Sequence, residues 1–193
     1  MAIGLPVFLV AITLHEVAHG WVADRLGDST AREQGRLTLN PLAHLDVLGT
    51  LFFLLSSLTG WGFGWAKPVP VNMARLGPYP FQKMVLVALA GPFANLLQAA
   101  AWYGLFLLAL TSWLLPRPVL EGAALLGLYG IIVNLLLALF NLLPIPPLDG
   151  SRVVGGLLPT EWAVRWYQWS GLGFLVLLFF LRSPLYPLLV LQP

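Results

Sequence analysis

Leu14-His15-Glu16-Val17-Ala18-His19-Gly20 lies inside an apolar run that begins near Ile3. Read as an α-helix, the stretch places residues i and i+4 about 40° apart, on one face. His15 and His19 then present two imidazoles to one point. Glu16, rotated about 100° from His15, brings a carboxylate beside it. Two histidines at this spacing, with a glutamate between them, form the H-E-x-x-H pattern of a metal-binding helix. In that pattern the carboxylate takes a proton from a metal-bound water. A motif with two free positions arises by chance in many proteins, but the flanks here argue against chance. Ionisable side chains are costly in hydrocarbon and usually mark a functional site there. Two of the chain's three histidines fall in this motif.

The surroundings are those of a membrane protein. Of 193 residues, 59% are hydrophobic and 9% charged, where a soluble domain carries about 25% charged residues. The apolar runs leave no room for a separate soluble domain, so residues 1–193 read as one membrane domain. A net charge of +2 gives no reason to expect nucleic acid. Cysteine is absent, which excludes a disulfide framework, a thiolate metal site and a cysteine nucleophile. The first apolar run carries the metal motif and lacks a basic start and a small-residue cleavage pattern, so it does not read as a removable signal peptide.

The pattern predicts an all-α polytopic membrane protein. It has about four transmembrane helices, a re-entrant or interfacial segment and short membrane-associated β-strands. Core helices are expected at about 3–23, 82–115 and 120–143, and a C-terminal helix at about 169–191. Residues 24–46 are polar by this chain's standards. Residues 47–63 are apolar but interrupted by Gly49, Gly60 and Gly62, and 47–72 as a whole read as the re-entrant and β region. From Phe63 to Asn72, prolines alternate with valines at Pro68-Val69-Pro70-Val71, which suits an extended edge strand. Pro144, Pro146 and Pro147 break the helix that precedes Asp149. Residues 151–168 are amphipathic, with Arg152, Arg165, Trp162, Trp166 and Tyr167 suited to a membrane interface.

A catalytic zinc takes three protein ligands and keeps a position open for water. Of the eight carboxylates, Glu16 is taken as the base. Asp24, Asp28, Glu33, Asp46, Glu121 and Glu161 lie in polar segments or near expected membrane boundaries. Asp149 alone follows an apolar helix through a proline-broken turn, and unwound backbone at membrane depth is tolerated where it lines a cavity. Asp149 is the favoured third ligand, with His44 its rival.

Topology tests this choice. His15 and His19 lie toward the C-terminal end of their helix, and Asp149 lies just past the end of 120–143. These ends meet only if the two helices run in the same sense. The chain must then stay on one side between residues 24 and 82, so 47–63 cannot be a full crossing. Arg25, Arg32, Arg36, Lys67, Arg75, Lys83, Arg152 and Arg165 fall on the active-site side, against Arg117 and Arg182 on the other. The positive-inside rule puts the first group in the cytoplasm of a cell-membrane protein.

Together these residues resemble the site-2 protease family of intramembrane zinc metalloproteases, over about residues 8–155. His15-Glu16-Val17-Ala18-His19 resembles the family's H-E-x-x-H helix, and Gly91-Pro92-Phe93-Ala94-Asn95 its G-P-x-x-N. Asn141 through Pro144, Pro147, Leu148, Asp149 and Gly150 match its N-x-x-P-x-x-x-[LM]-D-G. Leu37–Asp46 and Phe63–Asn72 look like the compact bacterial and archaeal subgroup. Departures from larger members are the lack of an inserted PDZ domain, of a C-terminal nucleotide-binding module and of an extra helix before the motif helix. The resemblance implies one zinc per chain on His15, His19 and Asp149, and hydrolysis of peptide bonds within or near transmembrane segments. Glu16 would be the base and Asn141 an oxyanion or substrate donor. Asn95 is a second donor candidate, although asparagines also bond simply across membrane helices.

A helical substrate must unwind before attack. Trp65, Lys67, Pro68, Val69, Pro70, Val71 and Asn72 are candidates to hold the extended peptide by β-addition, as are Pro144 and Pro147. Expected partners are a transmembrane protein substrate and the lipid bilayer, with a regulatory membrane protein or a second copy of the chain as a further partner. Two other classes compete. A catalytically silent protein that binds membrane segments should lack Glu16 or a ligand, and none is missing. A metal transporter should string polar residues along several helices, and 96–115 and 172–181 offer almost none.

Overall fold

The computed structural model describes residues 4–51 and 66–183. Helix α1 runs Gly4–Arg25. It ends in a Schellman motif: the Gly27 N–H donates to Asp24 O at 3.2 Å and the Asp28 N–H to Ala23 O at 2.9 Å. Gly27 has φ 111°, the left-handed region that favours glycine. A short helix α2, Thr30–Glu33, follows. Helix α3 spans Pro80–Thr111, with proline in its first turn where no N–H is needed. Helix α4 spans Arg117–Asn141. Then come α5 (Asp149–Leu157), α6 (Thr160–Trp169) and α7 (Gly173–Arg182).

Helices α1, α3 and α4 are the three, among the described residues, long and apolar enough to cross a membrane. They pack on one another, and α5 packs on α3. Their directions follow from paired contacts. Moving up α1 through Ala11, His15 and His19, the partners on α3 move down through Gln98, Asn95 and Val87. Between α3 and α4, Asn95 meets Asn134 and Phe106 meets Gly127. So α3 is antiparallel to both neighbours, and α1 and α4 run the same way. The end of α1 and the start of α3 therefore lie at the same end of the bundle.

That end is capped by polar contacts. Asp28 is fully buried. Its carboxylate accepts from the Thr30 N–H at 3.1 Å, the Thr30 hydroxyl, and the Asn72 N–H at 2.6 Å. Arg75 pairs with Glu33 at 2.7 Å, and Arg32 with Asp24. The Ser29 hydroxyl, with Arg75, holds the Glu33 carboxyl below its usual range. Beneath this cap, Ala23, Leu76, Met84 and Val87 form a small buried core.

Two expectations change. The short β-strands expected in 47–72 are absent among the described residues. Residues 47–51 are helical. What pairing there is consists of an antiparallel bridge between Leu45 and Ala66, beside which the Lys67 N–H donates to His44 O at 2.9 Å. The reason lies in the donors. Pro68 and Pro70 have none, and those of Val69 and Asn72 go to the carboxylates of Glu16 and Asp28. Residues 52–65, most of the expected re-entrant stretch and Trp65 with it, lie outside the described residues.

Among the described residues no helix long enough for the fourth crossing expected at 169–191 is seen, and residues 184–191 lie outside them. Helix α6 ends at Trp169, a tight turn takes Ser170–Leu172, and α7 has 10 residues. Ten residues rise about 15 Å, half the thickness of a bilayer core. Gly173 marks the break, with its backbone so close to Pro146 that a Cβ would collide.

Candidate metal centre

His15 and His19 are both buried on α1, and Asp149 is buried at the first turn of α5. One donor atom from each converges on one point. The two imidazole Nε2 atoms are 3.0 Å apart. Asp149 Oδ2 lies 3.2 Å from that of His15 and 3.1 Å from that of His19. Among the described residues this is the group of histidines and carboxylates that could hold a metal ion. Donors arranged tetrahedrally at about 2.0–2.1 Å from a zinc ion lie about 3.3 Å apart, close to the spacing found.

The hydrogen bonds behind the ligands say what this cluster is made of. His19 Nδ1 lies 2.7 Å from Val87 O. A carbonyl only accepts, so Nδ1 carries a hydrogen, and in the neutral imidazole Nε2 keeps a lone pair. His15 Nδ1 lies 2.6 Å from Asn95 Oδ1, with the same consequence. Asp149 Oδ2 is buried and has no partner other than these two imidazole nitrogens. With both imidazoles neutral, three lone pairs meet within 3.2 Å in a buried site. Without a cation they repel, and with one the set fits zinc chemistry.

Helix α3 forms the wall of this site. A Cβ on Gly91 would lie 2.6 Å from His15 Cε1 and Nε2, and closer still to His19 Nε2. Only hydrogen fits there. The next residue, Pro92, has no N–H to give to the carbonyl four residues back, that of Ala88. In that turn the Val87 carbonyl accepts from His19.

Glu16 is half-buried, and its Oε2 accepts from the Val69 N–H at 2.8 Å. The extended segment is held by Arg36 as well, whose guanidinium donates to Lys67 O at 2.9 Å and, more weakly, to Pro68 O at 3.4 Å. Lys67, Pro68 and Asn72 are exposed, Val69 is buried, and Pro70 and Val71 are half-buried. So the segment lies against the glutamate, but the donors of Lys67, Val69 and Asn72 face His44, Glu16 and Asp28. Asn141 is half-buried and donates to Leu137 O of its own helix at 2.9 Å. Pro144 and Pro147 are exposed on the loop leading to Asp149. Asn95 is fully buried behind His15.

His44 stands apart from the cluster. It is fully buried, with Nε2 2.9 Å from Thr38 O. Three participants are not legible as such in the sequence. The Val87 carbonyl is backbone and leaves no trace in residue type. Gly91 reads as a packing glycine. Asn134 shows only as a polar exception in an apolar helix, the one signal that could have singled it out.

Proteins similar to this chain carry zinc metalloprotease names. The chain is 43% identical over 180 residues to a Bacillus subtilis protein named "Putative zinc metalloprotease YwhC", covering 92% of this chain and 78% of that one. It is 33% identical over 181 residues to "Putative zinc metalloprotease Rip2" of Mycolicibacterium smegmatis, covering 92% of this chain and 65% of that one. A Methanocaldococcus jannaschii protein, "Putative zinc metalloprotease MJ0611", is 38% identical over 82 residues, covering 40% of this chain and 36% of that one. No family model matches, and no solved structure does. The chain is a membrane-type zinc metalloprotease homologue. It belongs to the family of these proteins, of the compact site-2 protease-like kind.

Proposed function

We propose that this protein is an intramembrane zinc metalloendopeptidase of the site-2 type. It hydrolyses peptide bonds within or near transmembrane segments of other membrane proteins, as a step of regulated intramembrane proteolysis. The observation that carries the reading is the convergence of three buried lone pairs, from His15, His19 and Asp149, on one point in an apolar bundle. These three would hold one zinc ion. Bound zinc supplies a Lewis acid and lowers the pKa of its water toward neutrality.

The chain's own residues do the rest. Glu16, next to a ligand and oriented by the Val69 N–H, takes the proton of the attacking water and returns it to the leaving amine. Asn141 donates to the developing oxyanion or to the substrate after releasing Leu137 O. Gly91 keeps the wall thin, so that the imidazoles are not displaced. The substrate's unwound segment lies along 67–72 and the Pro144–Pro147 loop. The excess of basic residues at the capped end favours a cell-membrane protein with its site toward the cytoplasm.

Zinc content per chain in detergent-purified protein tests the reading, together with cleavage of a transmembrane peptide. About one zinc is expected in wild type, Glu16→Ala and His44→Ala, and a large loss in Asp149→Ala. Cleavage should be confined to wild type and His44→Ala. Folded protein without zinc would leave only a protein that holds membrane segments.

A further inference from the structure

We propose that Asn134, on α4, is a positioning residue that sets the tautomer of His15 through Asn95, and with it the zinc affinity. The proposal rests on the zinc reading above. The order of the hydrogen bonds carries it. Asn134 Nδ2 lies 2.9 Å from Gly130 O. That carbonyl can only accept, so the amide nitrogen of Asn134 must face it. Asn134 Oδ1 therefore faces α3, where Asn95 Nδ2 donates to it at 2.8 Å. With its nitrogen so engaged, Asn95 can offer only Oδ1 to His15, at 2.6 Å. His15 then carries its hydrogen on Nδ1 and keeps the Nε2 lone pair for the metal. A backbone carbonyl on α4 thus fixes a ligand's protonation on α1, through two fully buried amides.

Reversing one amide would reverse the chain of consequences. An Asn95 turned by 180° presents an N–H to His15 Nδ1, pushes the hydrogen to Nε2 and removes a zinc ligand. Among the described residues the only other restraint on the Asn95 amide is a long contact from Nδ2 to Ala11 O, at 3.4 Å, which is outside the good range of such bonds. Asn134 is therefore the main lock. Outer partners of this kind typically change metal affinity 10–100-fold. The residual Ala11 contact puts the expected loss at about tenfold.

Four variants and wild type are compared by zinc titration against a chromogenic chelator, and by imidazole ¹⁵N shifts of the zinc-free protein. Wild-type His15 should carry its hydrogen on Nδ1. Asn134→Leu should bind zinc about tenfold more weakly and move His15 toward the Nε2–H form. Asn95→Asp combined with Asn134→Leu should recover most of the affinity, because a carboxylate only accepts and has no wrong orientation. Asn134→Asp still presents an oxygen that accepts from Asn95, and should bind as wild type does. His15→Ala sets the floor.

Wild-type affinity in Asn134→Leu overturns the proposal. So does a loss that Asn95→Asp does not restore, which would mean packing alone, and so does an Nε2–H wild type, a result that needs no variant to fold. Should His15→Ala bind zinc as well as wild type, the metal centre itself has failed rather than the lock behind it.

Discussion

Replacing Gly91 by alanine adds one methyl group to the wall of the metal centre, and its cost can be worked from the distances. The new Cβ would sit 2.6 Å from His15 Cε1 and Nε2. Ordinary contact begins near 3.4 Å, so the His15 imidazole or the helix must give by about 0.8 Å, and the closer His19 ring by more. The imidazoles are tied at their far ends, to Asn95 and Val87, both on the same helix as the glycine. Moving α3 away therefore strains the bonds that orient the ligands, and moving the rings breaks the convergence with Asp149. A misplacement near 1 Å costs about 10²-fold in rate, and disturbed ligand orientation costs about 10–100-fold in metal affinity. Gly→Ala inside a helix is otherwise favourable by roughly 0.5–1 kcal/mol. Gly104→Ala, in the same helix with nothing within 4 Å of the added Cβ, is the matched control. Chelator competition gives zinc affinity, and cleavage of a transmembrane peptide gives rate. If Gly91→Ala matches Gly104→Ala in both, the wall is not in contact with a working metal site and the reasoning is wrong.

Glu16→Gln should keep zinc and cut cleavage by about 10²–10⁴-fold, the usual worth of a general base; zinc content and rate measured on the same sample decide it. Asp28→Ala strips an acceptor from the Asn72 N–H and from Thr30 in a fully buried position. Each donor left unsatisfied costs about 1–3 kcal/mol, so thermal unfolding in detergent should fall in proportion, with Asp28→Asn, which keeps an acceptor, between it and wild type.

What the sequence made legible follows distance along the chain. His15 and His19 are one helical turn apart, and the local periodicity places them together without knowledge of anything else. Asp149 is more than a hundred residues away, yet it too was readable, because it alone among the carboxylates follows an apolar helix through a proline-broken turn, a choice that required helices running in the same sense. The antiparallel contacts of α3 with both neighbours bear out that parity. That 67–72 is not helical was readable from its alternating prolines. The destination of its N–H groups was not. A strand neighbour and two carboxylates compete for the same donors, and the winners, Glu16 and Asp28, lie 53 and 44 residues away.

The asparagines show the same limit from the other side. Each was visible as a polar side chain in an apolar helix, and hydrocarbon obliges such groups to find partners within the protein. Residue type does not say which partner, because that depends on how each helix is rotated about its axis. Asn95 reads as well as a substrate contact as it does as a support for His15. The rotation that closes Gly127 on Phe106 and Gly130 on Trp102 also turns Asn134 toward Asn95. Small residues on α4 therefore decide, by letting α3 approach, which way an amide near the metal must point. Asn141 lies seven residues further along that helix and donates within it. Helix assembly accounts for Asn95 and Asn134 but not for Asn141, and that is where the proposed contact with substrate belongs.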